Sequence, residues 1–154
     1  MAEDSGPPRT AATRWAAALA AGWAGVLLCI AVAAAPAAFA TLAVPDAGRV
    51  VGRIFAQEAW FSLALALFLL GFERRRAHRA AVAGSGSEFS AETGLLLGTM
   101  FCTVAGYFAI QPMLAAARAG QGTWSFGALH ALSSALFALK AILIVALAWR
   151  ASRR

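Results

Sequence analysis

Charged side chains are scarce in this sequence, and their scarcity excludes several classes of protein. Only 13% of the 154 residues are charged, whereas soluble domains have about 25%. The chain also has no nucleophile elbow, phosphate-binding loop, Cys-x-x-Cys pair or cluster of carboxylates, so we expect no enzyme activity. Its two cysteines, Cys29 and Cys102, lie inside apolar runs, which argues against a secreted disulfide framework and indicates packing residues.

Apolar residues make up 61% of the sequence and gather in four long runs. A spanning helix needs about 20 mostly apolar residues. The runs predict helices at about 15–35, 47–72, 93–117 and 126–149, with a Gly/Ser-rich loop at about 73–92. The sequence therefore predicts an all-α polytopic membrane protein, a single domain over residues 1–154 folded as a compact bundle of four transmembrane helices.

Pro36 indicates where the first predicted helix ends, and Asp46 indicates where the second begins. Proline disfavours helical geometry in the residue before it, so we expect helix one to end at Ala35. Asp46 is a good N-cap residue and is expected to begin helix two. Arg14, followed by an apolar run and the small-x-small sequence "AFA", also fits a cleaved signal peptide. The run of about 21 residues exceeds the 7 to 15 of a signal sequence, which favours a retained helix.

The arginines are divided unevenly between the two sides of the predicted bundle. The net charge of +6 does not indicate nucleic-acid binding, because the basic residues sit at the ends of apolar runs. One side holds Arg9, Arg14, Arg74, Arg75, Arg76, Arg79, Arg150, Arg153 and Arg154. The other side holds only Arg49, Arg53 and Arg118. The positive-inside rule places both termini and the 73–92 loop in the cytoplasm, as expected for a bacterial inner-membrane protein.

Small residues at four-residue spacing mark one face of helix three. They are Gly94, Gly98, Cys102 and Gly106. Membrane helices approach closely where such residues line up. We therefore expect a helix-packing seam, most simply against helix one at Ala21 and Gly25, although the same stripe could hold a homodimer or a membrane protein partner.

Polar side chains interrupt three of the apolar runs. Counting about 1.5 Å per residue from the arginine-rich side, Glu58, Gln111 and His130 share one outer layer. Ser133 and Ser134 follow His130 within one helical turn, so at least one shares its face. Two interpretations remain open: a site for a small solute, proton or metal, or hydrogen bonds that hold the helices together.

Lys140 is the single lysine of the chain and lies near the middle of helix four, about 9 Å deeper than Glu58 by the same count. Three arrangements are open for it. Its stem could snorkel towards an interface, it could pair with Glu58, or it could lose its charge on burial.

Arg49, Arg53 and Gln57 follow each other at four-residue spacing on helix two, so they share one face. One interpretation is a stripe that faces lipid headgroups. The other is an anion-attracting entrance above the polar cluster.

Three motifs carry a family resemblance over nearly the whole chain. They are "AAAPAAFATLAVPDAGRVVGRIF", Gln111-Pro112 and "FGALHALSSALFALK". They resemble the small integral membrane family that groups bacterial proteins of unknown function with eukaryotic transmembrane protein 205. The resemblance implies a retained helix one and marks Gln111, His130 and Ser133 as positions to test. Ala131 and Phe137 stand where the family commonly has glycine and asparagine.

That family has no established biochemical activity, and its eukaryotic branch is associated with resistance to platinum drugs. The leading hypothesis is a membrane protein that handles a small solute, proton or metal. The alternatives are a structural or accessory subunit and a metal or redox protein related to copper-resistance proteins. We expect no cofactor, although a metal at His130 stays open if Met100, Met113 or a second copy supplies further ligands. The expected partner is the lipid bilayer, and no nucleic acid is expected.

Overall fold

A computed structural model describes residues 11–85, 87 and 89–153 of the chain. Within these residues all regular structure is helical, and four helices are long and apolar enough to cross a membrane. Spans one to four are Ala11–Thr41, Val44–Val82, Ala91–Arg118 and Phe126–Ser152. The expected all-α fold with four membrane helices is confirmed, and it indicates a multi-pass membrane protein. Arg9 and Arg154 of the charge count lie outside the described residues.

Spans one and three each contain one widened, π-helical segment. Span one consists of α1 (Ala11–Cys29), the π-helical segment Ile30–Ala34 and α2 (Ala35–Thr41). Span two is a single helix, α3 (Val44–Val82). Span three consists of α4 (Ala91–Thr103), the π-helical segment Val104–Ala109 and α5 (Ile110–Arg118). Span four is α6 (Phe126–Ser152).

Each π-helical segment comes just before a proline, and this explains why the helices continue. A proline ring clashes with the carbonyl group four residues earlier in a regular α-helix. In span one the Ala35 N–H bonds the Ile30 carbonyl five residues back, so the turn before Pro36 is wider than an α-helical turn. The expectation that helix one ends at Ala35 is therefore wrong, because the helix continues through Pro36 to Thr41.

The start of α3 differs from the expectation at Asp46. The helix begins at Val44 and has a proline in its first turn. Proline is tolerated there because the N–H groups of the first turn make no hydrogen bond within the helix. Ala43 is the N-cap residue and makes no side-chain capping bond. Asp46 lies inside the first turn and pairs with Arg49. Asp46 therefore does not cap the helix, although its charge suits a helix N-terminus.

The far end of α3 extends ten residues beyond the predicted limit at residue 72, to Val82. Alanine and arginine are good helix formers, and Arg76 donates to Glu73 one turn earlier at 2.8 Å. Beyond the C-cap residue Ala83 lies Gly84, whose φ of 69° is the left-handed conformation that glycine adopts readily and that commonly ends a helix. The loop expected at 73–92 is therefore shorter, because its first part is helical.

The two ends of the bundle pack differently. We call the end with Arg74, Arg75, Arg79 and Arg150 the basic end, and the opposite end, with connections 42–43 and 119–125, the cavity end. In the half towards the basic end, one buried cluster joins the spans, with Trp23, Leu27, Leu96 and Ile144 at most 1% exposed.

Towards the cavity end the packing divides into two pairs of spans. Ala38, Ala47 and Val51 form a cluster between spans one and two. Ile110, Leu114 and Leu129 form another between spans three and four. Because the two pairs have separate cores, space is left between them.

The small-residue stripe of span three faces span four, so the expectation of helix one as its neighbour is wrong. A Cβ atom on Gly98 would lie 3.1 Å from Leu143, and one on Gly106 would lie 3.4 Å from Leu136. Cys102 is buried on the same face, whereas a Cβ on Gly94 would meet only Phe89, at 3.9 Å. On helix one, Ala21 and Gly25 are exposed instead. Small residues allow close approach but do not specify which helix approaches.

Candidate functional site

A cavity of about 360 Å³ lies between the two pairs of spans at the cavity end. Its volume is within the range of about 300–1,000 Å³ that is common for small-molecule sites. All four spans line it. Both π-helical segments take part, through Ala31 in span one and through Gly106 and Tyr107 in span three. Widened turns of this kind occur frequently at functional sites.

The walls of the cavity differ in polarity. Spans one and two line it with small or apolar residues, among them Ala35, Phe39, Val51 and Phe55, and their one charged contribution is Glu58. Spans three and four contribute most of the polar side chains: Tyr107, Gln111, Arg118, His130, Ser133 and Ser134. The cavity is therefore amphipathic, with an apolar side and a hydrogen-bonding side.

A buried ion pair forms the floor of the cavity. Lys140 of α6 donates to both carboxylate oxygens of Glu58 in α3, at 2.7 Å to Oε2 and 2.9 Å to Oε1. The two side chains are only 4% and 3% exposed. Of the three arrangements open for Lys140, the structure shows the pairing with Glu58. The two charges compensate each other, so the floor carries no net charge.

The ion pair continues into a chain of hydrogen bonds that reaches span one. The Ser62 hydroxyl, one turn after Glu58, donates to Glu58 Oε1. Ser62 in turn accepts a bond of 3.0 Å from the indole N–H of Trp23. Three of the four spans are therefore linked by polar contacts just below the cavity.

The depth count separated Glu58 from Lys140 by about 9 Å, and the direct contact shows that this separation was an error. The count assumed that Arg74 and Arg150 mark the same level. Because α3 continues as a helix beyond Arg74 to Val82, Arg74 does not mark the end of its span.

Two aromatic rings lie beside the floor and link spans two and four. Phe55 and Phe137 meet edge to face with their ring centroids 5.2 Å apart. The Lys140 ammonium lies 5.3 Å from the Phe137 ring centroid, within range of a cation–π interaction. Phe137, where the family resemblance would place asparagine, is therefore an apolar cover over the ion pair.

Arg118 and His130 are brought together by one aromatic side chain, Phe126. The Arg118 guanidinium carbon lies 4.9 Å from the Phe126 ring centroid. The His130 ring stacks on the same residue, with centroids 5.7 Å apart and planes inclined by 10°. Arg118 ends span three and His130 lies in the second turn of α6, so both belong to the part of the cavity farthest from the Glu58–Lys140 floor.

Several polar side chains of the cavity wall have no hydrogen-bond partner among the residues that the structure describes. Among the described residues, Tyr107, Gln111, His130 and Ser134 make no hydrogen bond. Ser133 differs, because it donates to the carbonyl of Gly106 at 3.4 Å. The hydrogen-bonding capacity of this wall is therefore largely open to a bound molecule or to water.

Most of the predicted polar cluster lines one cavity, but three predicted residues do not. Gln57 is exposed and lies outside the lining. Arg49 and Arg53, expected as a possible entrance, are also exposed and outside it. Gly48, Gly52 and Phe55 occupy the face of α3 that turns to the cavity, and residues one position along a helix point about 100° away.

Metal ligation finds no support in the arrangement of the described side chains. No group of three or more His, Cys, Asp or Glu residues among them could hold a metal ion. His130 therefore belongs to no such group of three in the part of the chain that the structure describes.

The family model for a domain of unknown function, DUF4149, matches residues 18–123. The chain belongs to this family. The match begins inside α1 and ends before α6, so Glu58 and Arg118 lie within it, whereas His130 and Lys140 lie beyond it. No curated protein and no solved structure matches the chain. The expected kinship with a family of unknown function is thereby confirmed at that level.

The sequence contains signals for residues that were missed. Tyr107, Gln111, Leu114 and Arg118 follow each other at spacings of four, three and four, which is one helical face. This spacing places Arg118 on the same helical face as Gln111. Glu58 and Ser62 share a face by their four-residue spacing in the same way, but no local pattern points to Trp23.

Proposed function

We propose that the protein binds a small solute in the amphipathic cavity between its spans, without catalysing a reaction. The observation that carries this proposal is the cavity of about 360 Å³, lined by all four spans, whose polar wall includes side chains that make no hydrogen bond among the described residues. Polar groups within a membrane span are costly and usually mark a site or a pathway.

The solute would enter from the cavity end. On the other side of the floor, Trp23, Leu27, Leu96 and Ile144 belong to a tightly packed core, which argues against an open path through the bundle. The excess of arginine at the basic end supports a cytoplasmic location for that end and for both termini. In a bacterial inner membrane the cavity would then face the outside of the cell.

We also propose that the kinship extends to eukaryotic transmembrane protein 205. Gln111-Pro112 follows a widened turn, and its glutamine shares the cavity with His130 and Ser133. An experimental structure of the eukaryotic protein would test this, because a Gln-Pro pair in its third span should lie beside a histidine in its fourth. A different helix order would contradict the kinship.

Two glycine substitutions on α3 test whether the cavity binds a solute. A Cβ atom at Gly52 meets nothing within 4 Å, and Gly52 lines the cavity, so Gly52→Phe should fill the space without a backbone clash. Gly71 on the same helix is exposed and equally unobstructed, and Gly71→Phe is the matched control.

The measurement is thermal unfolding of each protein in lipid nanodiscs with a panel of small carboxylates, amines, sugars and neutral amphiphiles. A solute at ten times its dissociation constant stabilises the folded state by about 1.4 kcal/mol. At least one class should stabilise the wild type and Gly71→Phe but not Gly52→Phe. If no class stabilises the wild type, or if Gly52→Phe responds equally, solute binding in this cavity is refuted.

A further inference from the structure

Resting on the proposed solute-binding function, we propose that the ligand is an amphipathic anion, a carboxylate with a short apolar body. Its acid group would bind Arg118 beside His130 at the cavity end, and its body would lie against the apolar wall of spans one and two.

The charges of the cavity favour an anion. The lining contains one carboxylate, Glu58, and two basic side chains apart from His130, namely Lys140 and Arg118. Lys140 and Glu58 compensate each other at the floor, with both carboxylate oxygens engaged. Arg118 has no carboxylate within 4 Å among the described residues, so it is the uncompensated charge of the lining.

The neighbours of Arg118 suit the recognition of an acid group. A guanidinium presents a planar array of donors that matches a carboxylate. The Phe126 ring contacts both groups: its centroid lies 4.9 Å from the guanidinium carbon of Arg118 and 5.7 Å from the centroid of the His130 ring. Gln111 lies two turns before Arg118 on the same helical face, about 10 Å along the helix, so its amide can donate to a part of the ligand deeper in the cavity.

The apolar wall defines the rest of the ligand. Phe39 of span one and Val51 and Phe55 of span two line the cavity on its apolar side. A sugar or an amino acid would leave its polar groups unpaired against this surface, which is unfavourable. At the floor, Lys140 is already bonded to both oxygens of Glu58 and offers no free charge to an acid group, so the acid group is held at the mouth.

The experiment compares octanoate with four probes, each of which changes one property. Octanamide keeps the chain and removes the charge, octylamine reverses the charge, and acetate removes the apolar body. Octyl phosphate replaces the carboxylate by a phosphate and shows which of the two acid groups the site prefers. Binding is measured by thermal unfolding in nanodiscs, with Gly52→Phe as the filled-cavity reference.

Arg118→Gln should weaken octanoate binding about tenfold or more, because a hydrogen bond to a charged group is lost, while octanamide binding stays the same. Arg118→Lys keeps the charge and should restore part of the affinity. Arg53→Gln removes an exposed arginine at the same end but outside the cavity, and it should have no effect.

The outcomes separate this inference from the proposed function. If octanoate and octanamide bind the wild type equally and both are lost in Gly52→Phe, the cavity binds solutes but the anion preference is refuted. If Arg118→Gln leaves octanoate binding unchanged, the assigned acid site is refuted. If octyl phosphate binds more tightly than octanoate, the acid is a phosphate and the carboxylate assignment is overturned. If no member of the wider panel binds, both proposals fall.

Discussion

Separate and joint replacement of Glu58 and Lys140 should give very different stabilities. The two groups are bonded at 2.7 and 2.9 Å and are almost completely buried. Two unit charges 4 Å apart attract by about 4 kcal/mol at an effective dielectric of 20. Removal of one partner forfeits this attraction and leaves the other charge buried without compensation. We therefore expect Glu58→Leu and Lys140→Met each to lower the free energy of unfolding by about 3–5 kcal/mol.

The double variant should be more stable than either single variant. It contains no uncompensated charge, and an apolar pair of similar volume often replaces a buried ion pair at little cost. Ser62 loses its acceptor in the double variant, which costs about 1 kcal/mol. The expected order of stability is therefore wild type close to the double variant, with both single variants well below.

The assay is reversible unfolding in mixed micelles of sodium dodecyl sulfate and a neutral detergent, followed by tryptophan fluorescence. Arg49→Gln is the control, because it breaks an exposed pair on the same helix, with side chains 80% and 51% exposed. Such a pair contributes at most about 1 kcal/mol. Strictly additive effects of the two single replacements would refute the reasoning, as would single variants that unfold within 1 kcal/mol of the control.

Two further substitutions test the packing below and beside the cavity. Gly98→Leu should lower the free energy of unfolding by about 1–3 kcal/mol, because a Cβ atom at this position would already lie 3.1 Å from Leu143. Gly71→Leu is the control and should not destabilise the bundle, because a Cβ atom there meets nothing within 4 Å. Equal effects of the two substitutions in the same micelle assay would contradict close packing of span three against span four at Gly98. Trp23→Phe should cost about 0.5–1.5 kcal/mol through the lost 3.0 Å bond to Ser62, and an unchanged free energy of unfolding would show that this bond contributes nothing.

The number of spans could be predicted because it depends on local properties. A run of about 20 apolar residues can form all its backbone hydrogen bonds within one helix, whichever helices lie next to it. The ends were less predictable. Pro36 would interrupt a regular α-helix, but the π-helical segment before it lets the helix continue. The arginines after Glu73 are charged, which suggests a loop, but arginine is also a good helix former and α3 continues through them. Composition alone does not separate a loop from a helix that continues into water.

The candidate site could be predicted only in part because it depends on which helices are neighbours. Glu58, Gln111, His130 and Lys140 stood out as costly polar residues in apolar runs, and all four line the cavity. The partner of Lys140 stayed open because depth counted along separate helices has no common origin. The sequence marks Arg118 only as a charge at the end of a span, although its spacing from Gln111 places both on one face.

The stability of the double variant also bears on why the floor of the cavity is charged. A buried ion pair is weak evidence for stability, because the desolvation of both groups offsets much of their attraction. If the bundle with Glu58→Leu and Lys140→Met folds as stably as the wild type, packing does not require the charges. The charges line the cavity, so a role in binding the solute would then be favoured over a role in packing. Octanoate affinity in that folded double variant separates the two effects. An affinity equal to the wild type places the acid group at Arg118, whereas a large change places it near the floor.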